Sequence, residues 1–230
     1  MYITIIKFVS LNIGGYLLGN FSSAKFLSRI KHDDITKHGS GNPGTMNMAR
    51  TYGFGWGVLT LIMDALKGAI PSLVGYFLFG GAAGGSMAYV GLFAGGFAAI
   101  LGHIFPVIYK FKGGKGVACI FGVFAIAEPI WVAVMFVICL LYLLIFQYGA
   151  IASFIFITIL TIIEGYRFKG DVVICMLLFG IFFLIWFMHR QNFFRLLIGK
   201  ENKVNLFKRK KNKINLDKQT KQEIKDKEIG

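Results

Sequence analysis

Cysteines are scarce in this sequence, and they are not arranged for disulfides or for a metal site. Cys119, Cys139 and Cys175 all lie inside apolar runs. An odd number of cysteines cannot pair completely within one chain, and their spacing does not match that of metal ligands. We therefore interpret the three as small hydrophobic residues, and we expect neither a metal nor another cofactor.

Acidic residues are also few, since 11 Asp and Glu accompany 25 Lys and Arg and the formal net charge is +14. Such a basic balance can indicate nucleic-acid binding, but the sequence contains no nucleic-acid-binding motif. Instead, 13 of the 25 basic residues lie from Arg190 onward. Beyond Gly199 they are mixed with Asn, Gln, Asp and Glu. This pattern predicts a solvated tail that contacts anionic lipid, with no nucleic-acid partner.

The chain is too apolar for a soluble domain. Hydrophobic residues make up 56% of it without counting glycine, whereas soluble domains are about 45–50% apolar with glycine included. A chain this apolar and this basic is predicted to be an integral membrane protein. Its first apolar segment has one early charge, Lys7, and no clear small-residue cleavage site. We therefore expect no cleavable signal peptide.

Apolar stretches predict an all-α protein with about seven transmembrane helices. They cover residues 2–29, 54–80, 86–109, 117–127, 130–146, 150–163 and 172–188. When the intervening loops are assigned to alternating sides of the membrane, the only Lys and Arg residues on one side are Lys7, Arg167 and Lys169. By the positive-inside rule the other side is cytoplasmic, so the N-terminus is outside and the C-terminus cytoplasmic. Residues 1–199 are predicted to form the membrane domain, and residues 200–230 a basic, disordered cytoplasmic tail.

A polar stretch separates the first two predicted helices, at residues 38–50 (HGSGNPGTMNMAR). Its glycines let the backbone bend and bring N–H groups close to a ligand. Ser40, Asn42 and Asn47 offer neutral hydrogen-bond donors, and His38 and Arg50 add potential positive charge. This set of residues suits an oxyanion, above all a phosphate. A flexible connecting loop is the alternative.

Two further polar clusters are predicted to lie on the same side of the membrane. Residues 110–116 (KFKGGKG) place Lys115 directly before an apolar helix, which is a generic anion site, although the run does not match a P-loop. In residues 189–195 (HRQNFFR), His189 and Asn192 share a helix face, as do Asn192 and Arg195. Taken singly, the alternatives are a plain basic loop and a topology anchor. Together, the three clusters predict a cationic, amide-rich pocket beside the bilayer.

The second and third apolar segments contain three residues that can carry charge, Asp64, Lys67 and His103. Asp64 and Lys67 are three residues apart and share a helix face. Because an isolated charge in a membrane is costly, we interpret them as an ion pair, and direct contact with a ligand is the alternative. His103 is expected to bond one helix to another rather than to act in catalysis.

In their order and composition, these clusters resemble the motifs of the bacterial acylphosphate-dependent glycerol-3-phosphate acyltransferase family (PlsY type). The first match is residues 39–44 (GSGNPG) together with Asn47 and Arg50. The second is residues 102–103 (GH) together with 111–118 (FKGGKGVA), and the third is residues 189–190 (HR), Asn192, 195–197 (RLL) and Gly199. Residues 64–68 (DALKG) also match. The resemblance covers residues 14–201. The chain departs from it at residues 45–47, which read TMN instead of ATN. It also departs at 147–153, which read QYGAIAS instead of RYVSLAS, so Ser153 is the hydroxyl carried over there.

The resemblance implies an enzyme of phospholipid biosynthesis in the bacterial plasma membrane. Its reaction is transfer of a fatty acyl group from acyl phosphate to the 1-hydroxyl of glycerol-3-phosphate, which gives lysophosphatidic acid and phosphate. Its partners are these two substrates and membrane lipids. The alternatives are a small transporter or channel for a phosphorylated solute, and a pseudoenzyme or scaffold whose basic tail recruits partners. Neither the acyl-chain preference nor the oligomeric state is predicted.

The hypothesis assigns roles to residues of all three clusters. Arg50 and Lys115 neutralise phosphate, while hydroxyl, amide and glycine N–H groups donate hydrogen bonds. Asn192 orients His189, which positions the glycerol hydroxyl or accepts its proton. The predicted catalytic residues are His189, Asn192, Lys115 and Arg50. The predicted substrate-binding residues are Ser40, Gly41, Asn42, Asn47, Gly113, Gly114, Ser153 and Arg195.

Overall fold

The computed structural model describes residues 2–204, and over that range the protein is all-helical. Its α-helices are α1 (Tyr2–Gly19), α2 (Ser23–Ile30), α3 (Thr45–Tyr52), α4 (Phe54–Leu78), α5 (Ser86–Ile104), α6 (Val117–Ala127), α7 (Pro129–Phe146), α8 (Gly149–Arg167), α9 (Val172–Met188) and α10 (Arg190–Leu197). Short 3-10 helices occupy Ile35–Lys37, Gly81–Gly84 and Val107–Tyr109. The predicted tail beyond residue 204, with its expected lipid contact, lies outside the described residues.

Several of these helices can cross a membrane. Within residues 2–204, five segments are long and apolar enough to do so: Tyr2–Ile30, Phe54–Leu78, Ser86–Tyr109, Pro129–Phe146 and Gly149–Arg167. A sixth results if α9 and α10, which are bent by 50° relative to each other, form one span. Helix α6 has 11 residues, fewer than the ~20 of a straight span. The protein is thus a multi-pass membrane protein, and the count of seven spans stays a prediction.

The first predicted segment is not one straight helix. It breaks between α1 and α2, where polar side chains bond to nearby backbone groups. The Asn20 amide donates to the Tyr16 carbonyl at 2.6 Å, and the Ser22 hydroxyl accepts the N–H of Lys25 at 3.4 Å. Asn and Ser compete with helical hydrogen bonds in this way and favour helix caps. After the break, α2 buries Ala24 and Leu27.

The predicted polar connections contain more helix than expected. The loop predicted between the first two segments includes α3. Helix α8 continues past Glu164 to Arg167, whose Nη1 lies 3.8 Å from the Glu164 carboxylate one turn earlier. Arg167 also contacts the Glu128 carboxylate at the end of α6. The helix thus includes residues 164–167, where the sequence predicted a loop, and Arg167 pairs there with acidic side chains.

Helix α5 lies at the centre of the bundle and packs against α1, α4, α6 and α9. It meets α4 closely at Gly75 and Gly91, where a Cβ on either glycine would collide with the carbonyl oxygen of the other. The Gly- and Ala-rich composition of α5 therefore permits close helix packing. Fully buried side chains such as Phe93, Phe124 and Leu160 join α5, α6 and α8 into one core. This core holds α4, α6 and α8 around the candidate site.

Candidate active site

The three polar clusters identified in the sequence line one cavity of about 300 Å³. The predicted site residues in its lining are Ser40, Asn42, Asn47, Arg50, Lys115, Ser153, His189, Asn192 and Arg195. The three predicted glycines, Gly41, Gly113 and Gly114, are not part of that lining. Residues more than 140 positions apart in the chain therefore meet around one space.

Asn47 holds the first cluster in shape. Its side-chain oxygen accepts the Ser40 N–H at 3.1 Å, and its nitrogen donates to the carbonyls of Ile35 at 3.2 Å and His38 at 2.9 Å. A buried amide is expected to be hydrogen-bonded in this way. Because these bonds occupy both ends of the amide, Asn47 serves to fix the loop that presents Ser40 and Asn42.

His38 turns away from the cavity. Its Nε2 lies 2.8 Å from an oxygen of Asp33, and the Tyr52 hydroxyl donates to the other oxygen at 2.9 Å. With the Asp34 N–H, these hydrogen bonds lower the pKa of Asp33 to about 2. His38 is therefore paired with Asp33 on the loop. Of the two basic residues predicted in the first cluster, Arg50 is the one that lines the cavity.

The predicted glycine N–H donors are engaged by the protein itself. Gly113 donates to the Ile104 carbonyl and Gly114 to the His103 carbonyl, both at 3.1 Å, while Gly41 donates to the His38 carbonyl at 2.9 Å. A Cβ at Gly114 would collide with the His103 imidazole. The glycines before Lys115 therefore let the loop pack tightly on the end of α5, and in this structure their N–H groups do not point into the cavity.

Lys115 reaches the third cluster through Asn192. Its ammonium group contacts the Asn192 side-chain oxygen, and the Asn192 nitrogen donates to Glu201 Oε1 at 2.6 Å. The other oxygen of Glu201 accepts from Arg195 Nε at 2.9 Å. The Glu201 side chain is 5% exposed, and it also lines the cavity. One carboxylate thus ties Asn192 and Arg195 together.

Glu201 lines the cavity, although the sequence pattern places it in the predicted tail. The segment that carries it packs on the bundle: the Val204 N–H donates to the Gln147 carbonyl at 2.7 Å, and the Val204 side chain is buried. One feature of the sequence could have indicated it: Glu201 is an acidic residue between Lys200 and Lys203, two positions after Gly199.

The electrostatic environment favours an anion. Burial lowers the pKa of Lys115 to about 8; the positive charges of Arg195 and Arg50 add to this effect, and Glu201 opposes it. Burial also lowers the pKa of Arg50, whose Nε is buried and has no hydrogen-bond partner among the described residues. At this end of the cavity Arg50, Lys115 and Arg195 face the carboxylate of Glu201. The other lining carboxylate, Asp64, is paired with Lys67, so positive charge remains in excess, as a phosphate would require.

His189 sits at the bend between α9 and α10 and is almost fully buried. Its Nδ1 lies 2.9 Å from the Ile185 carbonyl oxygen, which can only accept, so Nδ1 carries the hydrogen. In the neutral ring Nε2 then keeps its lone pair and can accept a proton. The expectation that Asn192 orients His189 was wrong in this respect, because Asn192 bonds to Lys115 and Glu201 whereas the Ile185 carbonyl fixes the imidazole.

Asp64 and Lys67 form the predicted ion pair, at 2.8 Å and almost fully buried. The Ser23 hydroxyl donates to the same Asp64 oxygen at 2.7 Å, and Lys67 donates to the Phe21 carbonyl at 2.7 Å. His103 Nδ1 lies 3.8 Å from Asp64, between α5 and α4. Asp64 and His103 also line the cavity, so the pair supports the helices and borders the site at once.

The other half of the cavity is apolar and lies between α4, α6, α7 and α8. Its lining includes Val58, Leu61, Phe121, Phe136, Cys139, Leu140, Leu143, Ala152 and Phe156. At the junction with the polar half, the Ser153 hydroxyl donates to the Gly149 carbonyl at 2.9 Å. The site therefore joins a cationic end to an apolar groove within one space, and it can hold a molecule with an anionic head and a long apolar tail.

Comparisons with known proteins agree with this geometry. The family model described as glycerol-3-phosphate acyltransferase matches residues 9–199. A glycerol-3-phosphate acyltransferase of Coxiella burnetii is 40% identical over 197 residues, which cover 83% of this chain and 95% of that protein. A glycerol-3-phosphate acyltransferase of Finegoldia magna is 32% identical over 198 residues, which cover 85% of this chain and 96% of that protein.

Solved structures show the same fold. Crystal structures of PlsY, an integral membrane glycerol 3-phosphate acyltransferase, have been determined in a glycerol 3-phosphate form and in a lysophosphatidic acid form. The first has a TM-score of 0.77 at 32% identity and covers 87% of this chain and 99% of that one. The second has a TM-score of 0.74 at 32% identity and covers 86% of this chain and 96% of that one. These similarities favour the acyltransferase over the transporter, and the chain belongs to the glycerol-3-phosphate acyltransferase family.

Proposed function

We propose that this membrane acyltransferase takes a fatty acyl group from acyl phosphate and transfers it to the 1-hydroxyl of glycerol-3-phosphate. The products are lysophosphatidic acid and inorganic phosphate. The observation that carries the proposal is the single cavity that joins a cationic end to an apolar groove. The two forms in which PlsY has been crystallised match the proposed acceptor and product.

The cationic end holds the phosphates of both substrates. Arg50, Lys115 and Arg195 supply the positive charge, and the Ser40 hydroxyl and Asn42 amide supply neutral donors from the loop that Asn47 fixes. Guanidinium groups suit the oxygens of a phosphate because they can donate two parallel hydrogen bonds. The acyl tail lies in the apolar groove, which places the acyl carbonyl where the two halves of the cavity meet.

The reaction requires no covalent enzyme intermediate, because acyl phosphate is already activated. The hydroxyl oxygen attacks the acyl carbonyl carbon, the bond from that carbon to the phosphate oxygen breaks, and inorganic phosphate leaves. The hydroxyl proton goes to Nε2 of His189 or to an oxygen of the departing phosphate. The protein contributes positioning and electrostatic stabilisation.

The proposed location is the bacterial plasma membrane, with the N-terminus outside and the C-terminus in the cytoplasm. The positive-inside rule supports this orientation, since 13 of the 25 basic residues lie from Arg190 onward. The cationic end of the cavity then faces the cytoplasm, where glycerol-3-phosphate is dissolved. Seven spans, with α6 as a short one, are consistent with the same orientation.

The proposal is tested with the purified full-length protein in detergent, supplied with palmitoyl phosphate and glycerol-3-phosphate. Released phosphate and lysophosphatidic acid are both measured. Lys115→Ala removes a phosphate-binding cation, and we expect it to raise the KM for glycerol-3-phosphate. His189→Ala removes the proton acceptor, and we expect turnover to fall by at least about 100-fold. Near-normal turnover in both variants would contradict the assigned site.

Lys112→Ala is the matched control, because Lys112 is an exposed residue of the same loop and does not line the cavity. We expect it to retain wild-type turnover and KM. If Lys115→Ala lowers activity strongly and His189→Ala only slightly, the proton goes to the phosphate oxygen. The two routes are therefore distinguished in one set of measurements.

A further inference from the structure

We propose that Phe121, Phe136 and Phe156 form a floor at the inner end of the apolar groove and set the longest acyl chain that the protein uses efficiently. The inference rests on the proposed function, because it concerns the acyl phosphate. It adds the residues that determine chain-length specificity.

The position of the three phenylalanines follows a common pattern. Each of α6, α7 and α8 contributes several residues to the cavity lining. On each helix, the lining residue farthest from the polar clusters is a phenylalanine: Phe121 on α6, Phe136 on α7 and Phe156 on α8. Three helices therefore end their part of the groove with the same bulky side chain.

The three rings contact one another through Phe121. It stacks on Phe156 with ring centroids 5.7 Å apart and planes inclined by 17°. It meets Phe136 edge-on at 5.6 Å and 70°. Such offset and edge-to-face pairs stabilise each other beyond the area that they bury. The floor is thus a connected aromatic layer.

The protein is tightly packed behind this layer. One turn further along α6 and α8, Phe124 and Leu160 are fully buried in the core. Interiors of this kind are close-packed and leave little space for additional methylene groups. A chain that reaches the floor therefore cannot extend past Phe121 and Phe156 without displacing core side chains.

The groove before the floor is lined by smaller side chains. Ala152 lies one helical turn before Phe156, and Cys139 lies one turn from Phe136; both line the cavity and are almost fully buried. The Cys139 thiol donates to the Ala152 carbonyl at 3.4 Å, which holds α7 to α8 at this level. The change from small residues to phenylalanine marks where the space for a tail ends.

One other path for the tail leads past Phe136 into the bilayer. Phe136 is 41% exposed on the outer surface of the bundle, and a tail that left there would not be limited in length. Contact between Phe136 and Phe121 opposes this path. The two paths predict different dependence of rate on chain length.

The experiment measures kcat/KM for saturated acyl phosphates of increasing chain length, with glycerol-3-phosphate as acceptor. Each methylene buried in the groove should raise kcat/KM by about fourfold, up to the length at which the tail meets the floor. Phe156→Ala should move this limit to longer chains, so that in the variant an acyl chain two carbons longer than the wild-type limit has a kcat/KM about 16-fold higher than that of a chain of the wild-type limiting length. Ala152→Leu fills the groove one turn earlier and should move the limit to shorter chains.

Phe179→Ala is the matched control, because Phe179 is an exposed phenylalanine of α9 outside the cavity lining. Its chain-length profile should equal that of the wild type. Phe156→Leu is a smaller change that keeps the test usable if Phe156→Ala fails to fold. Folding is checked by thermal unfolding in detergent.

Opposite shifts of the limit in the Phe156 and Ala152 variants support the floor. Folded variants that transfer acyl groups with the wild-type profile would overturn it, and they would indicate the path into the bilayer while leaving the proposed function intact. A wild-type protein that transfers no acyl group of any length would instead overturn the proposed function, and the floor with it.

Discussion

Lys115 and Asn192, 77 residues apart in the chain, are in side-chain contact within the cationic cavity. The Asn192 oxygen accepts from Lys115, and the Asn192 nitrogen donates to Glu201 at 2.6 Å. A neutral amide therefore lies between a cation and a carboxylate that would otherwise pair with each other. This arrangement keeps the Lys115 charge for a phosphate while it still positions the ammonium group.

Removal of this amide should lower activity without unfolding the protein. In Asn192→Ala, Lys115 and Glu201 each lose a hydrogen bond to a charged group, a loss of about 1.5–3 kcal/mol. We expect kcat/KM for glycerol-3-phosphate to fall by about 10- to 100-fold. The exposed neighbour Gln191 provides the control Gln191→Ala. Equal kinetics of the two variants would show that the amide does not position Lys115.

The pH dependence should follow Lys115, whose pKa is lowered to about 8. Below this pH the side chain is charged and binds phosphate; above it the charge is lost, and kcat/KM for glycerol-3-phosphate should fall tenfold per pH unit. Arg195 lowers this pKa and Glu201 raises it. Arg195→Gln should therefore move the fall to higher pH, and Glu201→Gln should move it to lower pH. Shifts in the same direction, or none, would exclude Lys115 as the titrating group.

The tight contact between the Lys115 loop and α5 should make Gly114→Ala destabilising. A Cβ at this position collides with the His103 imidazole, and overpacking costs about 1–3 kcal/mol. We expect a lower melting temperature in detergent and a raised KM, because Lys115 is displaced. Gly165→Ala is the control, since nothing lies within 4 Å of a Cβ there; alanine in that helix interior should maintain or raise the melting temperature. Equal melting temperatures for the two variants would contradict the packing described.

The buried ion pair should show strong coupling. Asp64→Asn leaves Lys67 uncompensated, and Lys67→Met leaves Asp64 uncompensated, each of which costs about 3–5 kcal/mol. The double variant removes both charges and should have a higher melting temperature than either single variant. Additive effects would show that the pair does not act as one unit. A stable but inactive double variant would show that the pair contributes to activity as well as to stability.

Much of the site was predictable because charged residues are rare in the apolar segments and conspicuous where they occur between them. The clusters around Arg50, Lys115 and His189 stood out for this reason, and loop alternation placed them on one side. Cys119 and Cys139 were likewise recognisable as buried apolar residues, which the structure confirms.

Long-range hydrogen bonds were not predictable from local pattern. The local sequence around Asn47 does not distinguish an amide that binds a ligand from one that donates to backbone carbonyls. In the structure Asn47 donates to the carbonyls of Ile35 and His38. The glycine N–H groups of the Lys115 loop are taken up by α5 in the same way, which only the folded chain reveals. Glu201 was hidden because its surroundings in sequence are polar, whereas its surroundings in space are Asn192 and Arg195.

Direct transfer between two substrates held in one cavity is tested most directly by counting products. The purified protein is mixed with palmitoyl phosphate first without and then with glycerol-3-phosphate, and phosphate and lysophosphatidic acid are quantified. Direct transfer predicts little phosphate release without the acceptor, and one lysophosphatidic acid per phosphate once it is added. A burst of phosphate equal to the enzyme concentration without acceptor, or phosphate release without lysophosphatidic acid, would contradict it.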